Sequence, residues 1–129
     1  MATPYTPMGT ATLYHNPHCS KSRAALQWLK THGITVTVIE YLTTPPDSVT
    51  LDTLLRRLKL TPRELMRQGE TLYQTLGLDD PKLSRAQLID ALCAHPQLLQ
   101  RPIVCIGEAA VIARPPEPVL ARFCHEITA

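Results

Sequence analysis

An alternation of patterns within the first forty residues constrains this chain most. Residues 10–14 alternate as a short β-strand, and residues 22–32 carry Ala25, Trp28 and Leu29 at helical spacing before Gly33 closes the helix. Ile34, Val36 and Val38 then alternate with Thr35 and Thr37, and Ile39 extends the apolar run as a second strand. Strand, helix and strand within about thirty residues form a βαβ unit, whose two strands run parallel.

The turn inside that unit reads Tyr14-His15-Asn16-Pro17-His18-Cys19-Ser20-Lys21-Ser22-Arg23. It sets Cys19 at or beside the helix N-terminus, where unpaired backbone N–H groups and the positive end of the helix dipole favour an anion. The same field favours a thiolate and can bring a cysteine pKa from about 8.5 down into the 3.5–7.5 range. His15, His18, Lys21 and Arg23 add positive or protonatable groups, and His15 either stabilises the thiolate or shapes the loop through hydrogen bonds. An isolated cysteine is more often a small buried hydrophobe, and Ser20 or Ser22 can be ordinary helix caps. The helix start and the four basic or imidazole neighbours tip the reading toward a reactive sulfur in an anion site.

Thr43-Thr44-Pro45-Pro46-Asp47 breaks the pattern, and residues 48–100 then read as helical throughout. Leu51, Leu54, Leu55 and Leu58 keep one helical face. Thr61-Pro62-Arg63-Glu64 is a capping box with proline at the first helical position, predicting a short helix through Leu65 and Met66 to Arg67. Leu72, Tyr73 and Leu76 predict another turn or two closed by Gly77. Ser84-Arg85-Ala86-Gln87 opens a helix carrying Leu88, Ile89 and Leu92 and ending before Pro96. Residues 101–106 return to strand, Gly107-Glu108 turns the chain, and residues 110–113 come back as a β-hairpin. Pro115-Pro116-Glu117 opens a last helix with Leu120, Phe123, Cys124 and Ile127 on one face. The fold class is α/β: βαβ, a helical insertion at about 48–100, then ββα, giving a mixed four-stranded sheet flanked by helices. Residues 1–9 read as a flexible leader and 10–129 as a single domain. With Pro4 and Pro7, no basic start and no apolar core, the leader does not read as a signal peptide.

A net charge of +2 is too weak to imply nucleic acid or an anionic membrane surface, and no apolar run is long enough to span a bilayer. Cys19, Cys93, Cys105 and Cys124 are widely spaced and form no C-x-x-C pair, which argues against a disulfide scaffold, a zinc knuckle and a two-cysteine redox motif. Reduced thiols in the cytoplasm follow. Cys93, Cys105 and Cys124 have apolar neighbours and read as inert core fillers. His32, His95 and His125 look like helix-end residues, and the Cys and His residues never cluster at metal-ligand spacing.

Three arginines stand where the patterning does not require them. Arg67 ends the short helix, Arg101 precedes the third strand, and Arg114 follows the fourth. Antiparallel pairing brings Arg101 and Arg114 together, and a guanidinium offers a planar fork suited to tetrahedral oxyanions. Arg56, Arg57, Lys59, Arg63 and Arg85 read as solvated charges on polar helix faces.

Tyr14-His15-Asn16-Pro17-x-Cys19 followed by Ser22-Arg23 resembles the active-site loop of the glutaredoxin-dependent arsenate reductases (ArsC-type). Arg63-x-Leu65-x-Arg67, His95-Pro96, Arg101-Pro102-Ile103-Val104 and Arg114-Pro115 resemble further blocks of that family at matching spacing. The resemblance implies a thioredoxin-like fold with Cys19 as nucleophile and His15 as the residue tuning it. It implies oxyanion binding by Arg67, Arg101 and Arg114, with Ser20, Lys21, Ser22 and Arg23 completing the loop, and all three arginines converging on one pocket mouth with Cys19. It further implies a cis Arg101–Pro102 bond, with Pro102 structural at the site. No tightly bound cofactor is implied: glutathione is the co-substrate, glutaredoxin the protein partner, and arsenate or a similar oxyanion the substrate. Where well-known members have Gly-Thr after the cysteine, this chain has Ser20-Lys21, the mark of a Cys-Ser-Lys-Ser-Arg branch.

Three other functions compete. An Spx-like redox regulator shares the fold but typically carries Cys-x-x-Cys, where this chain has Ser22. A glutathione-dependent thiol reductase suits Cys-x-x-Ser but has no use for three converging arginines. A protein phosphatase needs five residues between cysteine and arginine, and Cys19 to Arg23 leaves three.

Overall fold

The computed structural model describes residues 10–128, so the leader at 1–9 lies outside the described residues. The chain divides into two compact units, one holding the described residues up to Tyr41 together with those from Arg101 onward, the other spanning Leu42–Gln100.

The first unit contains β1 (Thr10–His15), α1 (Ser20–Thr31), β2 (Thr35–Glu40), and later β3 (Ile103–Ile106), β4 (Ala109–Ile112) and α5 (Pro116–Thr128). The sheet order is β2-β1-β3-β4. β1 and β2 run parallel with His15 opposite Glu40, while β1–β3 and β3–β4 are antiparallel. This βαβ and ββα arrangement around a mixed sheet is the thioredoxin-like fold. Leu13, Val104 and Ile106 of the central strands pack with Ala25 and Leu29 of α1 and Leu120 and Phe123 of α5 in one buried cluster. Each large aliphatic side chain so buried contributes about 1.5–3 kcal/mol. β2 is an edge strand, and Val38 stays 40% exposed there. Trp28 is only partly buried and stacks on His32 at the end of α1.

Helix α1 begins two residues earlier than the apolar spacing predicts. Periodicity registers the first side chain that packs, Ala25, whereas the backbone turns as soon as Cys19 leaves the extended region. Arg101–Pro102 is cis, as expected, and Arg114–Pro115 is cis as well, which nothing in the sequence pattern announces.

The second unit holds α2 (Ser48–Leu58), α3 (Thr71–Thr75), α4 (Arg85–Ala94) and a 3₁₀ turn at Pro96–Leu98. Asp47 caps α2 by accepting from the Thr50 N–H, and Ser84 and Gln87 form the expected capping box of α4. The short helix expected through Arg67 does not form. Thr61 and Glu64 do make the reciprocal capping contacts, with Thr61 N–H to Glu64 Oε1 at 2.8 Å. The chain then opens, because Met66 bridges Leu99 in antiparallel fashion, Arg67 N–H donates to Leu98 O at 2.7 Å, and Gln100 N–H donates to Leu65 O at 2.8 Å. Pairing with a distant segment satisfies the groups a helix would have used.

Arg63 and Arg85 are not simply solvated. Arg63 donates from Nε to Leu78 O (2.9 Å) and from Nη2 to Asp80 O (2.6 Å), holding the turn after α3. Arg85 and Arg56 both pair with Asp52, at 2.8 and 3.0 Å, and the two cations draw its carboxyl below its ordinary pKa.

Candidate active site

Cys19 is the N-cap of α1, with φ −99° and ψ 123°. An N-cap residue has extended backbone while the N–H groups of the first turn point back toward it. Cys19 is half-buried, and its loop is braced by its own backbone: Cys19 N–H donates to Asn16 O, and Arg23 N–H donates to Cys19 O, both at 3.0 Å. Asn16 Oδ1 accepts from the His18 N–H at 3.0 Å, closing the turn, and His18 itself is exposed.

Burial works against the Cys19 thiolate, yet its pKa is lowered overall. The opposing groups are the backbone N–H groups of Ser22 and Lys21 and the guanidinium of Arg101, which acts through hydrogen bonding and through charge. Lys21 therefore reaches the sulfur through its backbone. Arg23 is spent elsewhere: its Nη1 donates to Pro17 O at 2.9 Å, and its charge acts on His15.

Beneath the loop lies a contact that the residue types alone do not announce. Ser22, fully buried at the third position of α1, shares a hydrogen bond of 2.6 Å with His15 Nδ1 and accepts the Asn16 N–H at 3.0 Å. His15 is 5% exposed, and burial lowers its pKa against the opposing pull of Glu40, with Arg23 lowering it further. A neutral imidazole follows. Of the two roles open to His15, shaping the loop is therefore the one with a visible contact, since a neutral ring brings no charge to the sulfur. The Ser22 hydroxyl is likewise consumed inside the loop, leaving its backbone N–H as the group facing an anion. A serine three positions past an N-cap cysteine is the one signal that marked this pairing.

Arg101 and Arg114 meet as antiparallel pairing predicts: Arg114 Nη1 donates to Arg101 O at 3.3 Å, and Ala113 N–H donates to Pro102 O at 2.8 Å. Arg101 Nε is buried and meets no hydrogen-bond acceptor among the described residues. Arg114 is exposed. Arg67 belongs to the second unit, where its Nη1 lies 3.3 Å from Glu70 Oε2. The remaining cysteines differ from Cys19 in environment. Cys105 and Cys124 are buried and Cys93 half-buried. Burial pushes up the thiols of Cys93 and Cys124, with the carboxylates of Asp90 and Asp47 adding to it at Cys93. Among the described residues no helix is long and apolar enough to cross a membrane.

The ArsC family model matches residues 14–122. An uncharacterised protein, YfgD, of Escherichia coli strain K12 is 50% identical over 109 residues, covering 84% of this chain and 92% of its own length. An arsenate reductase of Neisseria meningitidis is 46% identical over 110 residues, covering 84% and 94%. Among solved structures, an arsenate reductase from Vibrio cholerae superposes with a TM-score of 0.83 at 44% identity, over 87% of this chain and 96% of that one.

Proposed function

The chain belongs to the ArsC family, and on that premise we propose that it is an arsenate reductase acting through Cys19 with glutathione and glutaredoxin as reductants. The observation that carries the reading is the pairing of a thiol of lowered pKa with a buried, unpartnered guanidinium N–H on the same unit. A low pKa supplies a nucleophile at neutral pH. A donor without an acceptor suits an oxyanion.

The Cys19 thiolate attacks arsenic(V), forming an S–As bond and expelling one oxygen as hydroxide. The remaining oxyanion charge is held by the guanidinium fork of Arg101 and by the first-turn N–H groups of α1, donors fixed before the reaction begins. Arg114 joins them by its place beside Arg101, and Arg67 enters by its match to the family's remaining arginine. Glutathione thiolate then forms a second S–As bond and expels a second hydroxide. Glutaredoxin thiolate attacks the glutathione sulfur, forming a disulfide and leaving the electron pair on arsenic, now arsenic(III). Water releases arsenite and returns Cys19 to the thiolate. Two thiols lose one electron each and arsenic gains two. His15 and Ser22 position the loop without entering these steps, and Pro102 has a structural role beside Arg101. A cytoplasmic location, where both reductants are reduced, suits the scheme.

Purified protein should reduce arsenate in a glutathione- and glutaredoxin-coupled assay, and Cys19→Ser should not. Turnover no higher than that control refutes the proposal and favours a thiol reductase or a regulator. A folded Cys93→Ala, Cys105→Ala, Cys124→Ala variant should keep glutathione-dependent turnover. A trapped disulfide between Cys19 and one of these three would replace the external thiol with an internal relay.

A further inference from the structure

The first unit carries a groove that the scheme above leaves unassigned. It lies between the starts of α1 and α5, encloses about 380 Å³, and is walled by Ser20, Lys21 and Ala24 on one side and by Pro115, Pro116 and Glu117 on the other. Along α1 it continues into a second depression of about 440 Å³ that shares Ala24 and Glu117 and reaches the stacked Trp28 and His32. Such volumes accommodate a ligand of small-peptide size.

The walls have a particular chemistry. A helix start ordinarily offers several N–H groups to an anion, but Pro115, Pro116 and Pro118 have none, and Glu117 adds a carboxylate there. The α5 side therefore presents proline rings and a negative charge. Across the groove stands Lys21, the residue that distinguishes this loop. Lys21 and Glu117 are both exposed, and among the described residues neither takes part in an ion pair. One free cation and one free anion, on a lining otherwise made of serine, alanine and proline, match a ligand head that carries both an ammonium and a carboxylate. Ser20 and Lys21 follow Cys19 directly, so a tripeptide in the groove reaches the sulfur within its own length, consecutive Cα atoms being about 3.8 Å apart.

We propose that this groove binds the reducing thiol of the reaction, a γ-glutamyl tripeptide, with its ammonium at Glu117, its adjacent carboxylate at Lys21 and its thiol turned toward arsenic on Cys19. The assignment rests on the arsenate reductase reading for its chemistry: the bound thiolate forms the second S–As bond while hydroxide leaves, and no electrons move until glutaredoxin takes the sulfur.

The test separates the two ideas. S-methylglutathione, which cannot react, is titrated into the isotope-labelled full chain without arsenate and followed by amide NMR. Saturable shifts are expected at Ser20, Lys21, Ala24 and Glu117. Glu117→Gln should weaken binding about fivefold, the upper range for one exposed ion pair, and Ala24→Tyr, which fills the groove from an exposed helical position, should abolish it. N-acetylated S-methylglutathione lacks the ammonium. It should bind the parent as weakly as the unmodified ligand binds Glu117→Gln, and Glu117→Gln should not weaken it further. In the coupled assay Glu117→Gln should raise the KM for glutathione by the same factor, and more than the KM for arsenate. Shifts confined to other residues, or binding indifferent to both substitutions, overturn the groove even if arsenate is reduced. Absence of arsenate turnover in the parent refutes the reductase reading, while the NMR arms still decide what the groove binds.

Discussion

Replacing Ser22 by alanine removes one oxygen atom and strands two groups. The hydroxyl is fully buried, bonded to His15 Nδ1 at 2.6 Å and to the Asn16 N–H at 3.0 Å. His15 is 5% exposed, so its ring nitrogen cannot turn to water, whereas the Asn16 contact is only partly buried and recovers some hydration. An unsatisfied buried polar group costs about 1–3 kcal/mol, so the two together should cost about 2–4 kcal/mol. Trp28 is the only tryptophan and lies in the unit that holds Ser22, so its fluorescence during urea unfolding reports the right transition. Ser20→Ala, at an exposed position, is the control and should stay within about 0.5 kcal/mol. A double-mutant cycle between His15→Ala and Ser22→Ala should show a coupling of about 0.5–3 kcal/mol, because the two side chains touch. Turnover should fall in Ser22→Ala along with stability, since the same contact holds the loop that carries Cys19. A loss no larger than that of Ser20→Ala, or no coupling to His15, would refute the claim that this serine is the hub of the loop.

Arg101→Lys keeps a charge but loses the guanidinium fork, so the Cys19 pKa should rise. The rising limb of the rate–pH profile should then shift to higher pH, with turnover down roughly ten- to a hundredfold. Thiolate absorbance would show an unmoved titration if Arg101 were a bystander. The pKa of His15 in the folded chain lies below its ordinary 6.5 because of burial, so the unfolded chain binds more protons as pH falls below about 6.5. Stability should therefore be full above that pH and decline below it, and His15→Gln should flatten the decline in urea midpoints. Arg63→Ala frees the carbonyls of Leu78 and Asp80, and amide exchange across residues 77–83 should accelerate roughly tenfold or more. Unchanged exchange would mean that the arginine only decorates the turn.

Much of the architecture was legible because each local signal agreed with its neighbours. Apolar alternation in β1, Gly33 at φ +74° after α1, the Ser84–Gln87 capping box and the hairpin turning at Gly107 are short-range facts that physics reads directly from residue types. The segment from Thr61 to Arg67 misled for the same reason. Its capping contacts are real, but Met66 and Arg67 take their backbone partners from residues 98–99, more than thirty positions away, and no local pattern encodes such a pairing.

At the site the division is similar. Sequence alone determined that a cysteine would stand at the mouth of a helix, because a strand, a short polar loop and an amphipathic run admit few other geometries. It also brought Arg101 and Arg114 together, since a hairpin joins its own two ends. Tertiary structure decided which groups act on the sulfur. Arg101, eighty-two positions beyond Cys19 in sequence, lowers the thiol pKa, while the nearby Arg23 turns to Pro17 O and His15 is buried in its neutral form. Proximity along a chain sets which charges are available. Burial and direction set which of them are felt, because a charge or a hydrogen bond acts through distance and solvent exclusion, and both are properties of the folded packing.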